Sequence, residues 1–364
     1  MILLLSLIIL AAYQGLSGED LAKFNQKIEE IQASGQEWKD PKFVAGKEIM
    51  FTDPKMRPIL NIVLMEFNWQ RPSEIHQEAK FAIHAKNQAD LNFGLFSNPN
   101  FIGAVGLLAG HPTALQKIFL DVENLDKGYA AFQFFRNGEW RAVIVDTLVP
   151  FSKTKKSHLL CHTSIYGELW LPLLEKAYAK LHGSFQNIKE IPTSQILTEL
   201  TGGSVETILF KEKKLKEFEL FSLVEYLLHH PIESKITILG CVNRVQENEA
   251  YKKNAGKRGI YDDHYYGILL AKEYKGWCAP DVDLRLLKIR NYWGAGGNWS
   301  GNWCNHGEDW DRAKLVREDL RPNGLDREYH YRDFFMDSAD LRKKFNQLVV
   351  CRLPKPPSEQ PKEA

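Results

Sequence analysis

The apolar pattern changes character halfway along the chain, and that change limits the fold more than any other feature. In the first half the spacing is helical. From Gly167 to Leu181, the residues Trp170, Leu173, Leu174, Ala177, Tyr178 and Leu181 fall at i, i+3, i+4, i+7, i+8 and i+11, which predicts a helix. Pro172 stands near its start and Gly183 just past its end. In the second half a helix over about Leu220–His229 is followed by strand-like runs at Ile236–Val242, Tyr265–Lys272 and Leu284–Ile289. A chain of 364 residues suits two domains at about 150 residues each. The expectation is an α+β protein of two lobes, one helical and one β, with a cleft between them as the usual place for a site.

Local signals fill in the outline. Asp20 to Gln32 reads as a polar helix with Leu21, Phe24, Ile28 and Ile31 on one face, ended by Ala33-Ser34-Gly35. Residues 38–80 carry scattered Pro and little periodicity and read as an extended segment. Asn98 is a good N-cap, Pro99 suits the first helical position, and the apolar run Phe101–Ala109 follows. Gly103 and Gly106 within that run cost about 1 kcal/mol each against Ala, which points to a buried helix with another backbone close by. Gly110-His111-Pro112 stops it. Ala130–Phe135, Asn137-Gly138 and Trp140–Val149 form a β-hairpin signal, because Asn-Gly supplies the positive φ angles of a tight turn. The expected organisation is 18–80 as N-terminal helix and extended segment, 81–187 as the first lobe, 188–354 as the second, and 355–364 as a disordered Pro/Lys/Glu tail.

Composition excludes several classes. The 47 Lys+Arg against 46 Asp+Glu leave a net charge of +1, which argues against a nucleic-acid binder. A hydrophobic share of 44% argues against a disordered chain. Five Cys without a CxxC pair make neither a disulfide scaffold nor a zinc site of the usual spacing. The apolar run Ile2–Ala12 is too short to cross a membrane, which takes roughly 20 residues. It fits the apolar region of a signal peptide over 1–17, although no Lys or Arg precedes it; a buried N-terminal helix or a misassigned gene start reads equally well. On the secretory reading, Asn298-Trp299-Ser300 is a glycosylation sequon and the odd Cys count leaves one thiol unpaired.

Chemistry concentrates in two segments of the strand-rich half. One is Asp262-Asp263-His264-Tyr265-Tyr266-Gly267; the other is Ile289-Arg290-Asn291-Tyr292-Trp293-Gly294, followed by Trp299-Ser300-Gly301-Asn302-Trp303. A His opening one strand and an Asn closing its neighbour can hydrogen-bond, the Asn fixing the imidazole tautomer as in Cys-His-Asn hydrolases. In a chain with eleven His, such a pair without context is ordinarily structural. The context is that these segments resemble the calpain family of calcium-dependent cysteine proteases. The segment Ile289–Gly294 matches the family's I-R-N-P-W-G with Tyr292 for Pro, and the Trp299 segment matches its W-T-G-x-W. Ala131-Phe132-Gln133-Phe134-Phe135-Arg136-Asn137-Gly138-Glu139-Trp140 is similar to the family's F-x-F-W-x-x-G-E-W. The family's L-L-E-K-A-Y-A-K recurs at Leu173 to Lys180, its T-G-G at Thr201 to Gly203, and its W-x-R-P at Trp69 to Pro72. The resemblance runs from about 38 to 354 and implies a papain-like, two-lobed protease core.

The family's nucleophile is missing. Its helix opens with Q-G-x-x-G-D-C-W, and the matching stretch here runs from Phe93 to Asn100. Gly94 is kept, Asn98 replaces Asp, Pro99 stands at the Cys position, and Phe93 replaces the Gln of the oxyanion hole. Proline has neither a nucleophile nor a backbone N–H. A one-residue slip puts Asn100 at the nucleophile position and offers no thiol either. Cys161-His162 are adjacent, so on a strand they point to opposite faces; Cys241 reads as core, and Cys278, Cys304 and Cys351 as structural or free thiols.

The resemblance also raises calcium, which takes about 6–8 oxygen ligands. In the first lobe Asp90 and Glu168 match the family's ligands. In the second, Asp326 and Glu328 match its D-x-E, while the uncharged Asn298 and Asn305 fall where acids are expected, which implies a weakened second site. Three functions follow as expectations: a catalytically inactive pseudo-protease that binds a peptide, with His264 and Asn291 as remnants; an active calcium-dependent cysteine endopeptidase acting on polypeptides; or a structural component that uses no cleft. The N-terminus suggests export, the family resemblance a cytoplasmic protein.

Overall fold

The computed structural model describes residues 15–53, 55, 67–81, 91–165, 167–244, 259–275, 283–292, 299–321 and 332–354. The signal-like run at 2–12, Asp90, Cys278, Trp293, Gly294, Asn298, Asp326, Glu328 and the tail 355–364 lie outside the described residues. The chain divides into two compact units, Met1–Gly203 and Ser204–Ala364.

The first unit opens with α1 (Gly18–Ala33), where Ser17 accepts a hydrogen bond from the Asp20 N–H at 3.2 Å and caps the helix. Strands β1 (Asn68–Gln70) and β2 (Leu91–Asn92) precede α2 (Pro99–Ala109), followed by β3 (Phe119–Asp121), β4 (Tyr129–Arg136), β5 (Glu139–Asp146), β6 (Val149–Ser152), β7 (Ser157–His158) and β8 (His162–Thr163). Two helices, α3 (Trp170–His182) and α4 (Thr193–Thr201), close the unit. The strands form three small sheets, β1-β6-β7, β2-β8 and β3-β4-β5.

Residues Phe101 to Ala109 of α2 are all buried, as an all-round apolar helix requires. Helix α4 packs against α2 and β4, which is why the division into units falls after α4 and not at 187/188. In the β4–β5 hairpin Asn137 and Gly138 take φ of 55° and 84°, the left-handed pair the turn needs. Helix α3 begins at Trp170 and not at Gly167, because Gly167 has φ of 88°, outside the helical region. Its sequence pattern shows one apolar face, yet the structure buries everything from Trp170 to Ala179, Glu175 and Lys176 included.

Among the described residues the second unit is one antiparallel sheet with the helices α5 (Glu217–His229), α6 (Lys314–Leu320) and α7 (Ser338–Lys344). Its strands are β9 (Ser204–Leu209), β10 (Thr237–Val242), β11 (Tyr265–Tyr274), β12 (Leu284–Asn291), β13 (Asp333–Asp337) and β14 (Gln347–Arg352). They lie in the order β13-β12-β11-β10-β14-β9. The two-residue alternation of β12 and β13 separates two cores. Leu287, Ile289, Phe334 and Met336 meet Leu220, Phe221, Val224 and Leu227 of α5. Leu286 and Phe335 point the other way, to Trp310, Val316 and Leu320. The fold is α+β, as expected.

Candidate active site

In the first unit the segment leading into α2 is fixed by backbone contacts that leave no space. A Cβ on Gly94 would lie 2.2 Å from the Leu160 carbonyl oxygen and 2.3 Å from that of Leu159. Gly94 N–H donates to Ser97 Oγ at 2.6 Å, and Phe96 N–H to the Leu159 carbonyl at 2.9 Å. Phe93 lies between β2 and this turn, half-buried, and its side chain holds no hydrogen-bond donor.

Asn98 caps α2 and is almost fully buried. Its Oδ1 accepts from the Asn100 N–H at 2.9 Å, and its Nδ2 donates to the Ile188 carbonyl at 2.5 Å. Pro99 is the first helical residue and is exposed. Its ring presets the helical φ and removes the N–H at that position.

Glu175 of α3 lies at the start of α2. One carboxylate oxygen accepts the Asn98 N–H at 3.3 Å and the other accepts the Cys161 N–H at 2.8 Å. Glu175 therefore ties the start of α2 to the segment before β8. Its only signal in the sequence is its place in the L-L-E-K match. Burial pushes its carboxyl up from the ordinary range. Burial, and then the neighbouring Glu175, push the Cys161 thiol well up, and its Sγ lies 3.7 Å from the Leu171 carbonyl. Cys241 is likewise buried with its thiol pushed up, and Cys351 is buried. A thiol held protonated in this way is a poor nucleophile.

In the second unit the other two candidates lie on neighbouring segments, His264 just before β11 and Asn291 at the end of β12. Asn291 is fully buried and directly opposite Tyr266. His264 immediately precedes β11, two residues before Tyr266, the partner of Asn291. Asp263, at φ of 57°, makes the turn that presents His264. His264 Nδ1 lies 2.6 Å from the Asp262 carbonyl oxygen. A carbonyl only accepts, so Nδ1 carries the proton. Burial lowers the His264 pKa, which makes the ring neutral near pH 7. Tyr292, which fills the family's Pro position, is buried over β11. A Cβ on Gly267 would meet the Tyr292 hydroxyl at 2.5 Å, so that residue must be glycine for the ring to fit.

The two described calcium candidates differ. Glu168 is buried, and its Oε2 accepts from Trp170 Nε1 at 3.2 Å. Asn305 does not fit. Its Oδ1 accepts from the Arg321 guanidinium at 3.2 Å, its carbonyl accepts from both Arg321 terminal nitrogens at 3.2 Å, and its Nδ2 donates to the Asp333 carbonyl at 2.7 Å. The buried guanidinium beside this oxygen repels a second cation. Among the described residues no three His, Cys, Asp or Glu side chains come together as a metal cluster, and no helix is long and apolar enough to cross a membrane.

The family model described as calpain family cysteine protease matches residues 38–352. The chain belongs to the calpain family. It is 28% identical over 330 residues to calpain-8 of Rattus norvegicus, covering 88% of this chain and 43% of that protein. It is also 28% identical over 325 residues to the calpain-type cysteine protease DEK1 of Zea mays, covering 86% of this chain and 14% of that protein. With the calpain-1 catalytic subunit of Macaca fascicularis the identity is 28% over 296 residues, 78% of this chain and 38% of that protein. The chain thus spans less than half the length of these calpain relatives.

Proposed function

We propose that this calpain-family core has lost peptidase activity and binds an extended polypeptide without cutting it. The observation that carries the reading is Pro99 at the first position of α2, the position that the motif resemblance matches to the family's nucleophilic cysteine. Phe93, at the position of the oxyanion glutamine, compounds it. In a serine protease the loss of one oxyanion donor costs about 100- to 1000-fold. Here the amide at Pro99 and the side-chain donor at 93 are both absent by chemistry. His264 and Asn291 keep their strand positions as remnants. What survives such losses is main-chain hydrogen bonding to an extended peptide, with side-chain pockets giving preference.

Calcium belongs to the same proposal. In the first unit Glu168 with Asp90 would hold the ion, whose charge draws the carboxylates of its site together. In the second unit Asp326, Glu328 and the neutral Asn298 remain, with the Asn305 side chain committed to Arg321. The second site is therefore the weaker.

The test is hydrolysis of a fluorescently labelled, unfolded protein by the purified chain, with and without calcium, beside His264→Ala. The expected result is no cleavage in any arm, with retention of an unfolded polypeptide on the immobilised chain. Cleavage that requires calcium and His264 overturns the reading and restores the active protease. Absence of both cleavage and peptide retention overturns the binding half and leaves a structural component.

A further inference from the structure

A cavity of about 560 Å³ lies beside β5 in the first unit, within the size range of small-molecule sites. Its walls come from α1, the stretch around Trp38, β5 and the C-terminal end of α3. None of its lining residues belongs to α2 or to the turn before it, so it is separate from the site at Pro99.

Helix α1 contributes Asp20, Lys23, Phe24 and Lys27, the spacing of a single helix face. Phe24 is 4% exposed, and together with the half-buried Trp38 and Ile144 it makes an apolar floor. The polar lining is unbalanced, with Lys23, Lys27, Lys42, Arg141 and Lys180 against Asp20 and Asp40. Both acids are already neutralised. Asp40 is buried and takes the Lys180 ammonium at 2.5 Å, and Asp20 takes Arg141 at 3.2 Å. The Lys180 ammonium also donates to the Ile144 carbonyl at 2.6 Å, so it fixes the wall rather than the rim. Lys23 and Lys27 pair with Glu19 and Glu30, with every partner at least 45% exposed. Exposed pairs of this kind contribute little and exchange readily for a ligand's charge. Lys42 is exposed and adds a further cation at the rim.

We propose that this cavity binds a small organic anion with an apolar body. The anionic head, a carboxylate, sulfonate or phosphate, meets Lys23, Lys27 and Lys42, and the body lies on Phe24, Trp38 and Ile144. The inference stands apart from the peptidase question and survives either answer to it.

The test uses 8-anilino-1-naphthalenesulfonate, an aromatic anion, titrated into the full chain and followed by its fluorescence. The expected result is saturable one-site binding that weakens as ionic strength rises. Lys27→Glu combined with Lys42→Glu raises Kd at least about tenfold, since opposite charges at the rim become like charges. Lys23→Glu alone gives a smaller rise. Both variants change side chains at the surface, and an unchanged circular dichroism spectrum verifies that they fold. The neutral analogue N-phenyl-1-naphthylamine binds at least about tenfold more weakly than the sulfonate, because it cannot use the cations. Absence of saturable binding overturns the proposal, as does a Kd that is the same in the double variant or for the neutral analogue.

Discussion

Replacing Asn98 by aspartate tests whether the start of α2 depends on an amide that aspartate, the family's residue at this position, cannot supply. Asn98 is 1% exposed; its Oδ1 caps the Asn100 N–H and its Nδ2 donates to the Ile188 carbonyl at 2.5 Å. Aspartate keeps the cap and loses the donor, so a carboxylate oxygen faces a carbonyl oxygen at hydrogen-bond distance. It also stands beside Glu175, whose carboxyl burial already pushes up. Leaving the Ile188 carbonyl without its partner costs about 1–3 kcal/mol. Each unit by which the new carboxyl's pKa is raised costs about 1.4 kcal/mol more near neutrality. Together these give about 2–4 kcal/mol at pH 7, or roughly 5–15 °C in melting midpoint for a unit of this size. The pH dependence has a definite sign. The new carboxyl titrates higher in the folded state than at its unfolded value of about 3.9, so the folded state binds more protons between the two. The penalty is small near pH 4 and grows as pH rises. Asn98→Ala loses cap and donor but adds no charge, so its cost of about 2–4 kcal/mol stays nearly constant with pH. Urea unfolding of both variants at pH 4 and pH 7, read by tryptophan fluorescence, measures this. If Asn98→Asp is as stable as the parent at pH 7, or if the Asp–Ala difference does not move with pH, the reasoning fails.

Burial, with His162 close by, holds His158 down at about 3, while the unfolded residue takes a proton near pH 6.5. Stability is therefore lost as pH falls below about 6.5, by about 2 kcal/mol at pH 5, and His158→Phe should flatten that limb of a urea-midpoint profile. An unchanged slope would show that His158 is not the group responsible. Gly94→Ala drives a Cβ into the carbonyls of Leu159 and Leu160 and should cost about 1–3 kcal/mol in thermal melts; a neutral substitution would mean that the close approach is not real. Asp333 is buried, which raises its pKa, but hydrogen bonds and charges from Arg290 and then Lys288 outweigh this and leave it lowered. The stability it adds is present above its unfolded value of about 3.9 and lost as pH falls through the folded value. Asp333→Asn should cost about 2–4 kcal/mol at pH 7, after discounting for the partly exposed cations, and about 1 kcal/mol less at pH 3; equal loss at both values would contradict the assignment.

Several features of this protein are legible in its sequence because they depend on a few neighbouring residues. Asn98 before Pro99 sets the start of α2, Asn137-Gly138 sets the β4–β5 turn, and the spacing from Trp170 onward sets α3. The candidate residues of each unit, Phe93 to Pro99 in the first and His264 with Asn291 in the second, likewise lie in ordered motifs along the chain. Gly167 shows the limit even locally, since its positive φ moves the helix start from the expected Gly167 to Trp170, where the apolar spacing begins.

Other features appear only when distant segments meet. Nothing in the helical pattern marks Glu175 and Lys176 as buried. Their burial rests on partners elsewhere in the chain, the N–H groups of Asn98 and Cys161 for one, and Asp146 with the Leu148 carbonyl for the other. The same holds for Asn305, read from its motif as an oxygen ligand and found held by Arg321. It holds too for the cavity beside β5, assembled from four segments of which none is distinctive alone. Caps, turns and periodicity are short-range steric and hydrogen-bonding preferences that the sequence by itself determines. Which polar group is buried, and which charge faces which, follows from long-range packing, and only the tertiary structure decides it.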